Sequence, residues 1–232
     1  MELRAARVRY GPLEALHGLT LAAPAGTVTV LLGRNGSGRT TVLRALAGTV
    51  ALSGGTVTWD GVDVTRRTAH ARAAAGLCFV PDRQAVFASL GVAENLELAS
   101  PDGDFTTALD AYPELRPLLG RRAGTLSGGE QRMLAVSRAL LSRARVVLVD
   151  EPAQGMSPPV AHRTYALLGG LDACVVLAEQ RLPPGLRTGG AGGAAVLVYE
   201  LGRGTVVFAG EATERATPCG TAERATTYRS SE

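Results

Sequence analysis

Residues 33–40, with the sequence Gly-Arg-Asn-Gly-Ser-Gly-Arg-Thr, restrict the fold more than any other part of the chain. Three glycines in eight residues allow the backbone to turn tightly and to bring its N–H groups close to phosphate oxygens, because glycine has no Cβ. An apolar run, residues 28–32, precedes the segment, and a helical pattern, residues 41–47, follows it. This order places the positive end of a helix dipole at the loop, where an anion is stabilised. The segment therefore predicts a phosphate-binding loop between a strand and a helix.

The loop departs from the G-x-x-x-x-G-K-[ST] pattern at one position, because Arg39 stands where the pattern has lysine. Lysine is a compact charge on a flexible stem and arginine is a wider planar fork, so the exchange is not conservative at a crowded phosphate site. The chain contains no lysine, and all 24 basic residues are arginine, which indicates a general compositional bias. We expect phosphate binding to survive the exchange and the rate of hydrolysis to be affected. The predicted phosphate contacts are Gly33, Asn35, Gly36, Ser37, Gly38, Arg39, Thr40 and Thr41.

The composition is that of a globular protein. With 232 residues, 46% of them hydrophobic, the chain fits one large domain or two small ones. The net charge is only +3 and the arginines are scattered, which disfavours nucleic acid as a partner. Cys78, Cys174 and Cys219 lack metal-ligand spacing and are expected to be reduced, intracellular thiols. No apolar run approaches the roughly 18 residues of a membrane span, so we expect none.

The order of patterns along the chain predicts an α/β fold with two additions to its core. Alternating residues near Val8 and Leu19, and residues 56–59 before an Asp-Gly turn, indicate antiparallel strands. Residues 91–125 contain short helical pieces, 92–99 and 105–111, broken by prolines. A helix at 128–143, a buried parallel strand at 146–149 and a hairpin of 195–200 with 205–209 follow. The predicted divisions are 1–90 (core with antiparallel β subdomain), 91–125 (helical subdomain), 126–210 (rest of the core) and 211–232 (a polar, flexible tail).

Two carboxylates, Asp150 and Glu151, end the apolar strand 146–149. Ligands of open α/β sheets bind at the carboxyl ends of such strands. Asp150 is therefore predicted to hold the shell of a Mg²⁺ ion, and Glu151 to polarise an attacking water. Taken alone, the pair is better explained as an acidic strand end that caps the next helix.

Residues 126–132, Leu-Ser-Gly-Gly-Glu-Gln-Arg, carry the most specific signal. Ser127 and Glu130 form an S-x-x-E capping box, and Gly128 and Gly129 leave the helix end open to an anion. The segment resembles the signature motif of ABC-transporter ATPases, and the resemblance extends from residue 1 to about 210. It implies a P-loop NTPase core with a mainly parallel sheet, an N-terminal antiparallel β subdomain and a small α-helical subdomain. It also implies that two subunits meet head to tail, so that Ser127, Gly128 and Gly129 of one chain complete the ATP site of the other.

Further positions match the family in order. Tyr10 stands where the family stacks adenine on an aromatic ring, although an aromatic packing residue is equally consistent with the local sequence. Asp82 occupies the position at which branched-chain amino-acid transporter ATPases carry a glutamate, and Gln180 ends a strand that resembles their switch strand. The resemblance thus implies Glu151, Gln180 and Asp82 as catalytic residues. It implies Thr40, Asp150 and Asp82 as residues around Mg²⁺.

The sequence therefore predicts an ATP- and Mg²⁺-dependent ATPase subunit of an importer of branched-chain amino acids or related small solutes. Its partners would be a second ATPase subunit, identical or different, and separate membrane permease subunits. It would lie peripherally on the cytoplasmic face of the cell membrane. An alternative is a weakly hydrolytic partner of a more active subunit. A third hypothesis, a soluble ABC ATPase of DNA repair or translation, is disfavoured because no long coiled-coil insertion or second ATPase unit is present.

Overall fold

The computed structural model describes residues 1–186 and 195–216, which form two β-sheets and seven α-helices. The strands are β1 Glu2–Tyr10, β2 Leu13–Ala22, β3 Val28–Leu32, β4 Gly54–Trp59, β5 Val62–Asp63, β6 Leu77–Val80, β7 Val146–Asp150, β8 Cys174–Glu179, β9 Val196–Gly202 and β10 Thr205–Glu211. The helices are α1 Arg39–Ala47, α2 Ala69–Ala74, α3 Val92–Glu97, α4 Thr106–Ala111, α5 Gly128–Leu141, α6 Pro158–Gly169 and α7 Ala212–Ala216. Three 3₁₀ segments, Pro113–Leu118, Ala123–Thr125 and Pro184–Leu186, complete the described part.

The larger sheet has six strands in the order β10-β9-β3-β8-β7-β6. Strands β9, β3, β8, β7 and β6 run parallel to one another, and β10 pairs antiparallel with β9 as its hairpin partner. Every residue of β3 and β7 is buried, because these strands are covered on both faces. The α/β fold with a mainly parallel sheet is therefore confirmed.

The smaller sheet is antiparallel, with the order β2-β1-β4-β5. Its last hairpin closes through Asp60 and Gly61, whose φ angles of 50° and 77° form the tight two-residue turn that the sequence predicts. This sheet and α1 cover one face of the larger sheet, where they share one hydrophobic core. Helices α3 to α6 cover the other face and enclose a second core. The six-stranded sheet separates the two cores.

The helical region is built around α5, against which α3 and α4 both pack. Its prolines break regular helix as expected, since Pro113 and Pro117 lie in a 3₁₀ segment. Within the described ranges, no helix has the length and apolar character needed to cross a membrane.

One expectation is wrong. The polar tail predicted to begin at residue 211 does not begin there, because Glu211 is the last residue of β10 and α7 follows it. The Glu211 backbone N–H donates to the Glu214 carboxylate at 3.1 Å, and Ala212 is buried in the second core. The rest of the predicted tail, Cys219 and the glycine-rich run 189–193 lie outside the described residues.

Candidate functional site

A cleft with a volume of about 710 Å³ opens at the carboxyl ends of β3 and β7. It brings together residues that the sequence spreads over 170 positions, from Tyr10 to Gln180. The predicted site residues that line it are Tyr10, Asn35, Gly36, Ser37, Gly38, Arg39, Thr40, Thr41, Asp82, Asp150, Glu151 and Gln180. The chain thus folds most of the predicted residues into one place.

The glycines of the phosphate-binding loop act in two different ways. Gly38 has φ 105° and precedes α1, so the loop turns directly into the helix N-terminus. Gly33 does not line the cleft. A Cβ on Gly33 would lie 2.4 Å from Ser37 Oγ and 2.7 Å from the Leu201 carbonyl, so this glycine lets the loop close behind the site.

Arg39 points into the cleft although its side chain is only 6% exposed. Its Nη2 donates to Glu151 Oε1 at 3.3 Å and to Asn35 Oδ1 at 3.4 Å. Its Nη1 is buried and has no hydrogen-bond partner in the described part of the chain. A buried, unpaired donor of a guanidinium beside a helix N-terminus fits a phosphate oxygen of a bound nucleotide.

Asp150 provides the complementary feature, a buried oxygen without a partner. The residue is 2% exposed, and its Oδ2 has no hydrogen bond within the described ranges. Burial raises the pKa of Asp150, while its interaction with the Thr40 side chain lowers it. A carboxylate oxygen next to a hydroxyl group is the donor set that Mg²⁺ prefers. In the described residues, however, no three His, Cys, Asp or Glu side chains cluster as a metal site, so phosphate oxygens would have to supply further ligands.

Glu151 lies between the phosphate-binding loop and the switch strand. Its Oε1 accepts hydrogen bonds from Arg39 and, at 3.2 Å, from Gln180 Nε2. The backbone has φ 49°, an unusual value for a residue with a side chain, and its N–H donates to the Ala178 carbonyl at 2.9 Å. The carboxylate is therefore held in the cleft by one residue from each side.

Asp82 and Tyr10 lie at the edges of the cleft. The Asp82 side chain is 35% exposed and lies 3.9 Å from Arg83, and its charge contributes to the raised pKa of Asp150. Tyr10 ends β1, lines the cleft and is 41% exposed, so its side chain is accessible to a planar ligand.

The signature residues Ser127 and Gly129 do not line this cleft, and Gly128 lines a separate cavity of about 370 Å³. The predicted capping box is confirmed, because Ser127 N–H donates to Glu130 Oε2 at 2.7 Å and Glu130 N–H donates to Ser127 Oγ at 3.3 Å. A Cβ on Gly129 would lie 2.6 Å from the Gly155 carbonyl, whereas a Cβ on Gly128 would meet nothing within 4 Å. Gly129 is thus needed for close packing of α5 on the loop that follows β7.

A sequence profile described as ABC transporter matches residues 16–154, which include the phosphate-binding loop, the signature segment and the Asp150-Glu151 pair. The chain belongs to the ABC transporter ATPase family. It is an ATP-binding transporter subunit and an ATPase, as the sequence predicts.

Two relatives of this ABC transporter ATPase are named as branched-chain amino acid transport proteins. It is 35% identical over 216 residues to the "probable branched-chain amino acid transport ATP-binding protein LivF" of Archaeoglobus fulgidus, covering 88% of this chain and 89% of that protein. It is 31% identical to the "high-affinity branched-chain amino acid transport ATP-binding protein BraG" of Pseudomonas aeruginosa, covering 77% and 81%. A dimeric ATP-binding cassette in a post-hydrolysis state, bound to ADP and Pi, has the same fold, with a TM-score of 0.78, 20% identity and coverage of 91% and 98%.

Sequence reasoning missed one wall of the cleft of this ABC transporter ATPase. The additional lining residues there include Leu13, His17 and Arg203. The β9–β10 turn carries Arg203 to the phosphate-binding loop, since Gly204 N–H donates to the Ser37 carbonyl at 2.9 Å. No motif marks these positions, because they meet through the packing of the two sheets.

Glu179 and Tyr165 were also missed, although Glu179 directly precedes Gln180. The Tyr165 hydroxyl donates to Glu179 Oε1 at 2.5 Å. Burial raises the pKa of Glu179 to about 7, the Glu151 charge adds to this rise, and the hydrogen bond from Tyr165 opposes it. The pKa of Tyr165 is raised as well, chiefly by burial. Glu179 is thus a second carboxyl group that feels the Glu151 charge, and its pKa is near neutrality.

Proposed function

We propose that this ABC transporter ATPase hydrolyses MgATP to drive an importer of branched-chain amino acids or related small solutes. The observation that carries the proposal is the placement of Glu151, whose carboxylate faces the same cleft as Arg39 and the unpaired Asp150 oxygen. The names of the two relatives with the amino-acid transport function support the solute class.

Different residues of the cleft would bind the phosphates, the base, the Mg²⁺ ion and the attacking water. Loop N–H groups, Arg39 and the α1 N-terminus would hold the phosphates, and Tyr10 would stack on the base. Thr40, Asp150 and Asp82 would hold Mg²⁺, which supplies charge neutralisation for the leaving phosphate groups. Glu151 would accept a hydrogen bond from the attacking water, and Gln180 would keep that carboxylate in place.

The proposed assembly contains two ATPase subunits and membrane permease subunits on the cytoplasmic face. Ser127, Gly128 and Gly129 lie outside the cleft of their own chain, which supports a role against the nucleotide of a second subunit. The surface from residue 82 to 95 would contact the permease. Phe87 on this surface is 48% exposed.

A direct test measures MgATP hydrolysis by the purified chain and by the Glu151→Gln variant. We expect the variant to bind MgATP with unchanged affinity and to lose turnover by at least about 100-fold. Near-normal turnover in the variant would remove Glu151 from the mechanism.

The solute class needs a separate experiment. Cells that lack the chain should lose uptake of labelled leucine or valine, and wild-type protein but not Glu151→Gln should restore it. Detergent-solubilised membranes should also yield a hydrophobic permease with the tagged chain. Normal uptake of both amino acids by cells that lack the chain would refute the solute assignment. It would leave the proposed ATPase activity untouched.

The second candidate is a weakly hydrolytic subunit paired with a more active one. The Arg39–Glu151 contact favours it, because an arginine that engages the catalytic carboxylate competes with its bond to water. This candidate predicts MgATP binding with turnover that rises only when the partner subunit is added.

A further inference from the structure

Arg132 is a buried arginine whose side chain donates hydrogen bonds to residues outside its own helix. It lies near the start of α5 and is 4% exposed. Its Nε donates to the Glu151 carbonyl at 3.0 Å, and its Nη1 donates to the Pro81 carbonyl at 2.6 Å. One rigid side chain therefore joins three segments: the signature helix, the residue after β7 and the residue after β6.

The bond to Glu151 acts on a strained backbone. Glu151 has φ 49°, a conformation that costs a residue with a Cβ about 1 kcal/mol or more unless its surroundings hold it. The Gln154 N–H, at 3.2 Å, and Arg132 both donate to its carbonyl. Because the peptide orientation sets the Cα–Cβ direction, the donors at this carbonyl fix the direction in which the Glu151 side chain leaves the backbone. The contacts of its Oε1 with Arg39 and Gln180 then hold the carboxylate itself.

Most of the charged groups that interact with Arg132 are carboxylates of the candidate active-site cleft. Burial lowers the pKa of Arg132, and the carboxylates of Asp150, Asp82, Glu179 and Glu151 raise it. Its Nη2 is buried and without a hydrogen-bond partner in the described part of the chain. Burying a guanidinium costs free energy when its N–H groups are not all hydrogen-bonded to carboxylates. An apolar side chain would fill the same space without this cost, so packing does not explain why the residue is an arginine.

We propose that Arg132 is a positioning residue for hydrolysis, which fixes the Glu151 backbone and links it to the signature helix and to the Pro81 segment. The inference rests on the proposed hydrolytic role of Glu151. Ser127 directly precedes α5. If a second subunit binds at Ser127 and displaces the start of α5, the Arg132 guanidinium would transmit that displacement to the Glu151 backbone.

Two variants of Arg132 test the proposal in the full chain. Arg132→Lys keeps the charge but reaches only one carbonyl, and Arg132→Gln keeps one amide donor without the charge. We expect kcat for ATP hydrolysis to fall by at least about tenfold in both, with the Kd for MgATP changed by less than about twofold.

Arg138→Lys is the matched control. Arg138 is on the same helix and donates from Nη1 to a backbone carbonyl, that of Ala85, at 2.8 Å. Its variant should lose a similar amount of thermal stability and keep kcat within about twofold. An equal fall of kcat in the variants at both positions would overturn the proposal.

A double-variant comparison separates this proposal from the proposed function. In a Glu151→Gln background, Arg132→Lys should no longer lower the residual single-turnover rate, because the group it positions is gone. Additive losses would overturn the role of Arg132, as would failure of both Arg132 variants to fold, since either result indicates a purely structural residue. Full turnover in Glu151→Gln itself would instead refute the catalytic assignment of Glu151.

Discussion

At the scale of single residues, the arginine of the phosphate-binding loop is the main departure from its pattern. In the structure, the Arg39 guanidinium contacts the Glu151 carboxylate, with 3.3 Å between Nη2 and Oε1. A lysine has its donors on one compact ammonium group, whereas the donors of an arginine are spread over a wider planar guanidinium. The guanidinium therefore engages the carboxylate that the proposed mechanism needs for water.

Arg39→Lys should raise the rate of ATP hydrolysis by about tenfold, because it releases Glu151 while keeping the positive charge. Steady-state kcat and the Kd for MgATP measure the two effects separately. Arg34→Lys, at a neighbouring exposed position of the loop, is the control and should leave kcat unchanged. An unchanged or lower rate in Arg39→Lys would indicate that the site has adapted to arginine.

The titration of Glu179 predicts a pH dependence of stability. Its pKa is about 7 in the folded chain against 4.5 in an unfolded one, so the folded state binds this proton more tightly. The stability that the group contributes is therefore present below about pH 4.5 and is lost as the pH rises toward 7. Relative to Glu179→Gln, the wild-type free energy of unfolding should fall by on the order of 3 kcal/mol across this range.

Urea unfolding of both proteins at several pH values measures this difference. The substitution Glu97→Gln, at an exposed position of α3, serves as the control. A wild-type curve parallel to that of Glu179→Gln would show that the carboxyl does not titrate in this range.

At the scale of elements, α1 depends on an arginine from another helix. Arg72 of α2 donates from Nη1 to the carbonyls of Ala45 and Leu46 in the last turn of α1, at 2.8 and 2.7 Å. Its Nη2 donates to the carbonyls of Val64 and Thr65. Four backbone acceptors near the end of the phosphate-loop helix are thus satisfied by one buried side chain.

Arg72→Met should lower the free energy of unfolding by about 3 kcal/mol or more, because it removes a donor from all four carbonyls. In the described part of the chain, the carbonyls of Ala45 and Val64 keep the N–H groups of Gly48 and Arg67 as donors, whereas those of Leu46 and Thr65 keep none. Chemical denaturation measures the loss. The control Arg44→Met, at an exposed position of α1, should change stability by less than about 0.5 kcal/mol. Similar values for the two variants would contradict the role of Arg72.

The same elements mark the limit of sequence reasoning. The phosphate-binding loop, the Asp60-Gly61 turn and the Ser127 capping box are local patterns, so the residues that make each contact lie within a few positions of one another. Arg132 and Arg72 bind backbone carbonyls, which carry no side-chain signal, and Arg132 does so across 51 residues to Pro81. Such contacts follow from how the segments pack and could not be predicted from the sequence.

At the scale of the whole molecule, the position of the signature residues predicts that active sites are shared between subunits. On the proposed function, Glu151→Gln would disable a cleft, and Ser127→Arg would disable the surface that faces the cleft of the partner. A mixture of the two variants should recover about a quarter of wild-type hydrolysis, because a mixed symmetric dimer keeps one intact site. ATPase assays of each variant and of the mixture measure this, and an inactive mixture would contradict sharing.

The two hydrophobic cores on opposite faces of the six-stranded sheet also determine how its backbone opens to solvent. Strands β3, β7 and β8 carry residues of both cores, so their amides should exchange hydrogen only when both cores come apart. The edge strands β6 and β10 have one neighbour each and can open locally. Asp150 ends one of the central strands, and the base of the cleft is therefore the part of the molecule expected to resist exchange longest.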